Sequence, residues 1–284
     1  MPKYGVNLLL WADKFDRETV DLIPKVADMG FDGVEIPIFD HATVDIPLTN
    51  AALRDTNLHP IGCAIMAHDR NPIHEDVAIR ENGKDYLKRS IDVLAELGGD
   101  TLVGPLYSAV GTLVGRGRNR QEWDRCVDIL GEVAEFAGQR GVTVAIEPLN
   151  RFETYFINIA ADAIKLATAV NSPFFKIHLD TFHMNIEEKN LTRAITDTGK
   201  LLHHLHTCEN DRGTPGTGLV DWEGVFHALA TINYDRWLVI ESFTPAVKGI
   251  AAATAIWRDI APSAEILATE GLAFLKRMSA EHLH

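Results

Sequence analysis

Short, nearly continuous apolar runs alternate along this chain with longer stretches in which apolar residues recur every three or four positions. The short runs are "YGVNLLLW" (4–11), "GVEIPI" (33–38), "HPIGCAIM" (59–66), "DTLVGPLY" (100–107), "VTVAIEPL" (142–149), "FFKIHLD" (174–180), "LLHHLHT" (201–207) and "RWLVIES" (236–242). Strands of a parallel sheet are buried on both faces and read in this way. The intervening stretches carry helical spacing. "RETVDLIPKVADMG" puts Val20, Ile23, Val26 and Ala27 on one face and stops at Gly30. "AIRENGKDYLKRSIDVLAELGG" and "RQEWDRCVDILGEVAEFAGQRG" repeat the scheme and stop at Gly98 and Gly141, where a left-handed residue ends a helix. Eight strand–helix units without a linker predict an α/β fold, one (β/α)8 TIM barrel domain spanning 1–284, rather than an open sheet.

Composition narrows the function. At 284 residues and 46% hydrophobic residues, the chain can bury a large core without disulfides. The formal net charge of −13 argues against a phosphate-backbone partner, so no nucleic acid is expected. Cys63, Cys126 and Cys208 form no CxxC, which disfavours a metal–thiolate or disulfide framework. The opening "MPKYGVNLLLWADKFD" is too briefly apolar for a signal peptide, and no apolar run reaches the length of a membrane span. A cytoplasmic protein with a small, neutral ligand and no membrane partner is expected.

In a barrel of this kind chemistry gathers where the strands end. Four consecutive predicted strands end in residue types that bind metals: Glu147 in "VAIEPL", Asp180 in "KIHLD", His206 in "HHLHT" and Glu241 in "LVIES". An acid inside an apolar run is costly unless it is paired or bound to a cation. Three carboxylates and one imidazole suit Mn²⁺, Co²⁺ or Mg²⁺ better than a structural zinc site. Glu153, His183 and Arg212 follow three of these residues in the loops at the same mouth and can hydrogen-bond a substrate's hydroxyl and carbonyl oxygens.

The segments "IEPLNRFET", "LDTFHMNIEE", "HTCENDRGTPGTG" and "ESF" resemble the D-tagatose 3-epimerase family, which includes D-psicose (D-allulose) and L-ribulose 3-epimerases and lies among the xylose-isomerase-like barrels. The resemblance runs through the whole chain. It implies a ketose 3-epimerase for free ketoses, working through a cis-enediolate with one divalent metal ion, Mn²⁺ first, and Co²⁺ or Mg²⁺ as alternatives. It implies metal ligation by Glu147, Asp180, His206 and Glu241, an acid/base pair of Glu147 and Glu241, and substrate positioning by Glu153, His183 and Arg212. A homodimer or homotetramer is also implied. Two positions depart from the family's pattern: Val110 stands where the psicose and tagatose enzymes carry a tryptophan, and Asn7 where they carry a pocket tyrosine. Both fall where the far end of the sugar is expected.

Three rival readings differ in chemistry. An aldose–ketose isomerase would use the same metal site between C1 and C2. An apurinic-site endonuclease would need more histidine ligands and a basic groove. A sugar-binding protein would not need two bases. Among the remaining residues, His178, His203 and His204 read as packing or surface histidines of the wrong parity, and Cys208 as a small hydrophobe. Trp11 and Phe15 read as a wall against the sugar. Phe243 fits core or pocket equally. "GTPGTG" lacks the lysine of a phosphate loop and reads as a turn.

Overall fold

The computed structural model describes residues 1–283. Eight parallel strands close into a barrel in sequence order: β1 (Lys3–Asn7), β2 (Gly33–Pro37), β3 (His59–Cys63), β4 (Thr101–Gly104), β5 (Thr143–Ile146), β6 (Phe175–Asp180), β7 (Leu202–His206) and β8 (Trp237–Ile240). The helices are α1 (Leu22–Asp28), α2 (Ile46–Thr56), α3 (Val77–Glu96), α4 (Arg120–Gly138), α5 (Ala160–Val170), α6 (Thr181–Glu187), α7 (Leu191–Thr198), α8 (Trp222–Thr231), α9 (Lys248–Thr254) and α10 (Ala264–His282). The fold is the expected TIM barrel. None of the described helices is long and apolar enough to cross a membrane.

The sequence explains the outlines. Gly30, Gly98 and Gly141 take φ of +84°, +79° and +70°, the left-handed conformation that ends a helix at little cost when no side chain is present. At the start of α4, Asn119 and Glu122 form a reciprocal capping box. Outward-facing Val34, Ile36, Leu102, Val144 and Ile146 pack in one buried cluster with Leu87, Ile91 and Leu94 of α3 and Leu130, Val133 and Ala137 of α4. Each fully buried leucine or isoleucine contributes about 1.5–3 kcal/mol over an exposed one. Ile61, Val103, Ala145, Trp237 and Val239 form a second cluster. A Cβ at Gly33 would lie 2.6 Å from the Trp237 indole, so glycine is what admits that ring.

The ladders are shorter than the apolar runs. The run 4–11 stops as a strand at Asn7, whose side chain accepts from the Leu9 N–H and starts a single 3-10 turn over Leu8–Leu10. β3 and β4 likewise end at Cys63 and Gly104, and the apolar residues beyond them shape the mouth of the barrel. Between β6 and β7 the register slips: Ile177 pairs with Leu202, but His178 pairs with His204 and Asp180 with His206. His203 is the extra residue of a β-bulge, and it meets Thr101 from across the barrel at 3.2 Å.

Candidate active site

Asp180 ends β6 and caps α6 at once. Its Oδ1 accepts from the Phe182 N–H at 2.7 Å, while Oδ2 receives Nη1 of Arg212 at 2.6 Å. The cap turns the chain so that His183, on the first turn of α6, faces the same centre. His183 Nε2 lies 3.8 Å from Asp180 Oδ2 and 3.7 Å from Glu147 Oε1. Its Nδ1 accepts from the Asn150 backbone N–H at 3.0 Å. Arg212 Nη2 also approaches Nε2, at 3.1 Å. A neutral imidazole has one lone pair and arginine only donates, so with Nδ1 engaged by Asn150 the arginine contact is a close approach rather than a second hydrogen bond.

Glu147, Asp180, His206 and Glu241 each bring one ligating atom to a common centre, all four atoms lying within 4.8 Å of one another. All four residues are buried. His206 Nδ1 lies 3.3 Å from Glu241 Oε2 and 3.9 Å from both Glu147 Oε1 and Asp180 Oδ2. Two of these atoms, Glu147 Oε1 and His206 Nδ1, are buried without a hydrogen-bond partner in the protein. Buried polar atoms are normally satisfied. Orphaned atoms in a set of three carboxylates and one imidazole fit a divalent cation of the oxygen-preferring kind.

Electrostatics follow from the crowding. Burial drives the Glu147 carboxyl well above the usual range, and the charges of Glu241 and Asp180 add to it against the opposing pull of His206. Asp180 goes the other way. Burial opposes its ionisation, but the Arg212 guanidinium and the two neighbouring imidazoles hold it well below the usual carboxylate range. Arg212 spans Asp180 and Glu241, at 2.6 and 2.7 Å, with its guanidinium 4.2 Å from the centre of the Phe182 ring. The arginine backbone has φ of +67°, a left-handed conformation that costs on the order of 1–3 kcal/mol for a non-glycine residue. The 208–220 loop holds it there. Buried Glu209 accepts from the N–H groups of Gly216 and Val220 and from Trp222 Nε1, and the Ser242 hydroxyl donates to the Arg212 carbonyl. "GTPGTG" is thus a turn tied to a carboxylate.

A cavity opens above this centre. Glu147, Glu153, His183, His206, Arg212 and Glu241 line its polar side, and Leu9, Phe39, Ile65, Val110, Phe243 and Ile250 line much of the rest. Glu153 is held by the Asn150 side chain at 2.7 Å. All seven predicted site residues therefore meet, six of them on the cavity wall and Asp180 just behind it. Val110 and Phe243 line the cavity as well. Trp11 and Phe15 do not: Phe15 is buried in the outer core, and Trp11 donates to Glu265 and stacks with Lys25.

Asn7 also differs from its expected place. It lies fully buried and donates to Glu35 at 2.7 Å and to Glu241 at 3.3 Å, rather than lining the sugar's far end. Glu35, in the middle of β2, was missed by sequence reasoning. It is fully buried, with Oε1 and Oε2 at 3.0 and 3.1 Å from His206 Nε2 and Oε2 at 2.8 Å from His204 Nε2. Burial opposes its charge, but His206 and His204 draw it down to about 2. The signal was visible as an acid inside the apolar run "GVEIPI". His178 and His204 share the inward parity of Asp180 and His206, contrary to the parity expected, and are fully buried packing histidines, as one of the two expected roles had it. Their rings meet edge-to-face, with centroids 4.8 Å apart, and burial favours the neutral form of each.

Fold and site together define an enzyme of the (β/α)8 class with a buried Glu/Asp/His centre able to hold a divalent metal ion. The family model for xylose isomerase-like TIM barrels matches residues 23–278. The chain is 34% identical to a ketose 3-epimerase from Arthrobacter globiformis, over 96% of each protein. It is 31% identical to a D-psicose 3-epimerase from Agrobacterium fabrum, over 93% of each. The solved structure of a D-allulose 3-epimerase from Methylomonas sp. in complex with D-allulose superposes with a TM-score of 0.93, at 30% identity, covering 98% of this chain and 97% of that one. The chain belongs to the xylose isomerase-like TIM barrel family and, within it, to the ketose 3-epimerases.

Proposed function

We propose that the protein interconverts free ketoses epimeric at C3, with Glu147 and Glu241 as the acid/base pair and Glu147, Asp180, His206 and Glu241 as the ligands of one divalent cation, Mn²⁺ foremost. The observation that carries this reading is the convergence of those four side chains at the C-terminal mouth of the barrel, three of them on the cavity wall. When bound, the cation supplies Lewis-acid polarisation of the ketose carbonyl.

The protein's own groups supply the rest. Removing the weakly acidic C3 proton needs a base on one face of the sugar, and inverting the centre needs an acid on the other. Glu147 and Glu241 come from different arcs of the barrel, β5 and β8, and each borders the cavity. One carboxylate takes the C3 proton to give a cis-enediolate, and the partner carboxyl returns a proton from the opposite face. In the reverse direction they exchange roles. Each contributes roughly 10²–10⁴-fold as general acid or base. In this reading Arg212 and the Nε2 edge of His183 donate to the substrate's carbonyl and hydroxyl oxygens, and Glu153 accepts from a hydroxyl.

Charge supports a free rather than a phosphorylated sugar. Among the described residues lining the cavity, Arg212 is the one arginine or lysine, and two carboxylates already engage it. Three glutamates share the wall, so a phosphate dianion would meet repulsion with no unpaired arginine or lysine among the described lining residues to offset it. The test is a screen of four- to six-carbon ketoses, free and phosphorylated, incubated with Mn²⁺-loaded protein and resolved by NMR. The expected result is C3 epimers from free ketoses; turnover confined to phosphorylated sugars would overturn the reading.

A further inference from the structure

We propose that Glu35 is a positioning residue that fixes which nitrogen of His206 faces the cation centre, and that Asn7 locks Glu35 in that orientation. The inference rests on the reading that His206 is a metal ligand.

Glu35 reaches inward from β2, on the far side of the His206 ring from Glu147, Asp180 and Glu241. Its two oxygens straddle His206 Nε2 at 3.0 and 3.1 Å. A carboxylate only accepts, so the Nε2 proton stays on that side whether the ring carries one proton or two. Nδ1, orphaned and facing the three other carboxylates, is the nitrogen left to ligate. Without Glu35 the ring is free to take either tautomer, and half of the choice presents an N–H where a lone pair is needed. A carboxylate behind a ligating imidazole also raises its basicity.

Asn7 completes the device. Its amide cannot rotate freely, because Oδ1 accepts from the Leu9 N–H at 2.9 Å. That bond leaves Nδ2 to donate to Glu35 Oε1 at 2.7 Å and to Glu241 Oε1 at 3.3 Å. One side chain at the end of β1 thus ties the carboxylate on β2 to the carboxylate after β8. This accounts for an asparagine in a position that lines no part of the cavity.

The test compares wild type, Glu35→Gln, Glu35→Met and His206→Ala by calorimetric titration of the metal-stripped proteins with Mn²⁺, and by proton NMR of histidine-labelled, Mg²⁺-loaded protein. Glutamine keeps the volume and one acceptor, so it guards against a variant that fails to fold. Wild type is expected to bind one Mn²⁺ and to show an exchange-protected Nε2 proton that is missing in His206→Ala. Glu35→Gln is expected to weaken Mn²⁺ binding by about 10–100-fold, the usual effect of losing a partner behind a ligand. It should also shift or lose the protected proton, and Glu35→Met should be weaker still. A merely structural Glu35 would lower Tm and leave the affinity of the folded variant unchanged. Affinities within twofold of wild type, with the proton signal unmoved, overturn the inference while leaving the site reading intact. Wild type binding no Mn²⁺, or His206→Ala binding it as tightly, overturns the site reading and the inference with it.

Discussion

Glu147 and Glu241, at the ends of β5 and β8, each bring a carboxylate oxygen to within 4.8 Å of the other. Two buried carboxylates at that distance resist joint ionisation. Glu147 shows the strain, its protonated form being favoured by burial first and by Glu241 and Asp180 in addition. A divalent cation at the shared centre would permit both to be charged, and in the proposed reaction one would take the C3 proton while the other, carrying a proton, would return one from the opposite face.

Glu147→Gln and Glu241→Gln are therefore expected to lower kcat by at least about 100-fold each, the lower end of what one general acid or base supplies. Each also removes a charged ligand, so Mn²⁺ binding should weaken in parallel. The check is kcat at saturating Mn²⁺ together with calorimetric affinity. Either glutamine variant turning over at near wild-type rate with full metal occupancy would show that the pair has been misassigned.

Chelation by EDTA should abolish turnover and lower Tm. A ligand of the native state at 100 times its Kd stabilises by about 2.7 kcal/mol. For a chain of 284 residues that corresponds to a shift of roughly 4–5 °C. Mn²⁺ or Co²⁺ should restore both activity and Tm. Asp180→Asn and His206→Ala should act through occupancy, so excess Mn²⁺ should recover part of their activity. Calorimetric scans and assays across a Mn²⁺ series check this, and undiminished activity in chelated, metal-free protein would exclude the site as drawn.

Arg212→Ala, His183→Ala and Glu153→Ala should weaken transition-state binding with the metal still held, by about 1–3 kcal/mol in kcat/KM for each buried hydrogen bond left unmade. Arg212→Ala should be the most severe, because it also leaves Asp180 and Glu241 without their shared cationic neighbour. The measurement is kcat/KM beside metal content. Loss of metal from all three variants would move them into the ligand set.

The barrel and the ligand types were legible because both have one-dimensional signatures. Period and glycine stops mark the units, and acids interrupting apolar runs mark Glu147, Asp180 and Glu241. The failures are as physical. Glu35 sits in mid-strand rather than at a strand end, so a rule that looks for chemistry at strand ends passes over it. His178 and His204 stand two residues before Asp180 and His206 on the same strands, so the period of two already gave them the same inward face, and they pack there as buried rings. Trp11 and Phe15 read as a wall against the sugar because large aromatics just past a strand end fit either a core or a pocket. In the fold β1 ends at Asn7, and Phe15 packs in the outer core while Trp11 packs against Lys25 and Glu265.

A 3-epimerase and an aldose–ketose isomerase can share every residue discussed so far, and they part at the hydrogen they move. In D₂O, a ketohexose turned over by a 3-epimerase loses its C3 hydrogen to one glutamate and receives a proton at C3 from the other. That second carboxyl borders the cavity and exchanges with solvent through the mouth of the barrel, so the product should carry deuterium at C3. C1 should stay unlabelled and no aldose should form, as read by NMR of the recovered sugars. An isomerase would place deuterium at C1 of the ketose, or yield aldose, with C3 untouched. Glu147→Gln and Glu241→Gln sharpen the result. With one carboxyl disabled the other can still remove and return a proton on its own face. Each variant should then exchange the C3 hydrogen of one epimer slowly without inverting it, and the two variants should select opposite epimers. Label at C1 with a silent C3 would falsify the epimerase reading, and exchange of the same epimer by both variants would place the two glutamates on one face of the sugar.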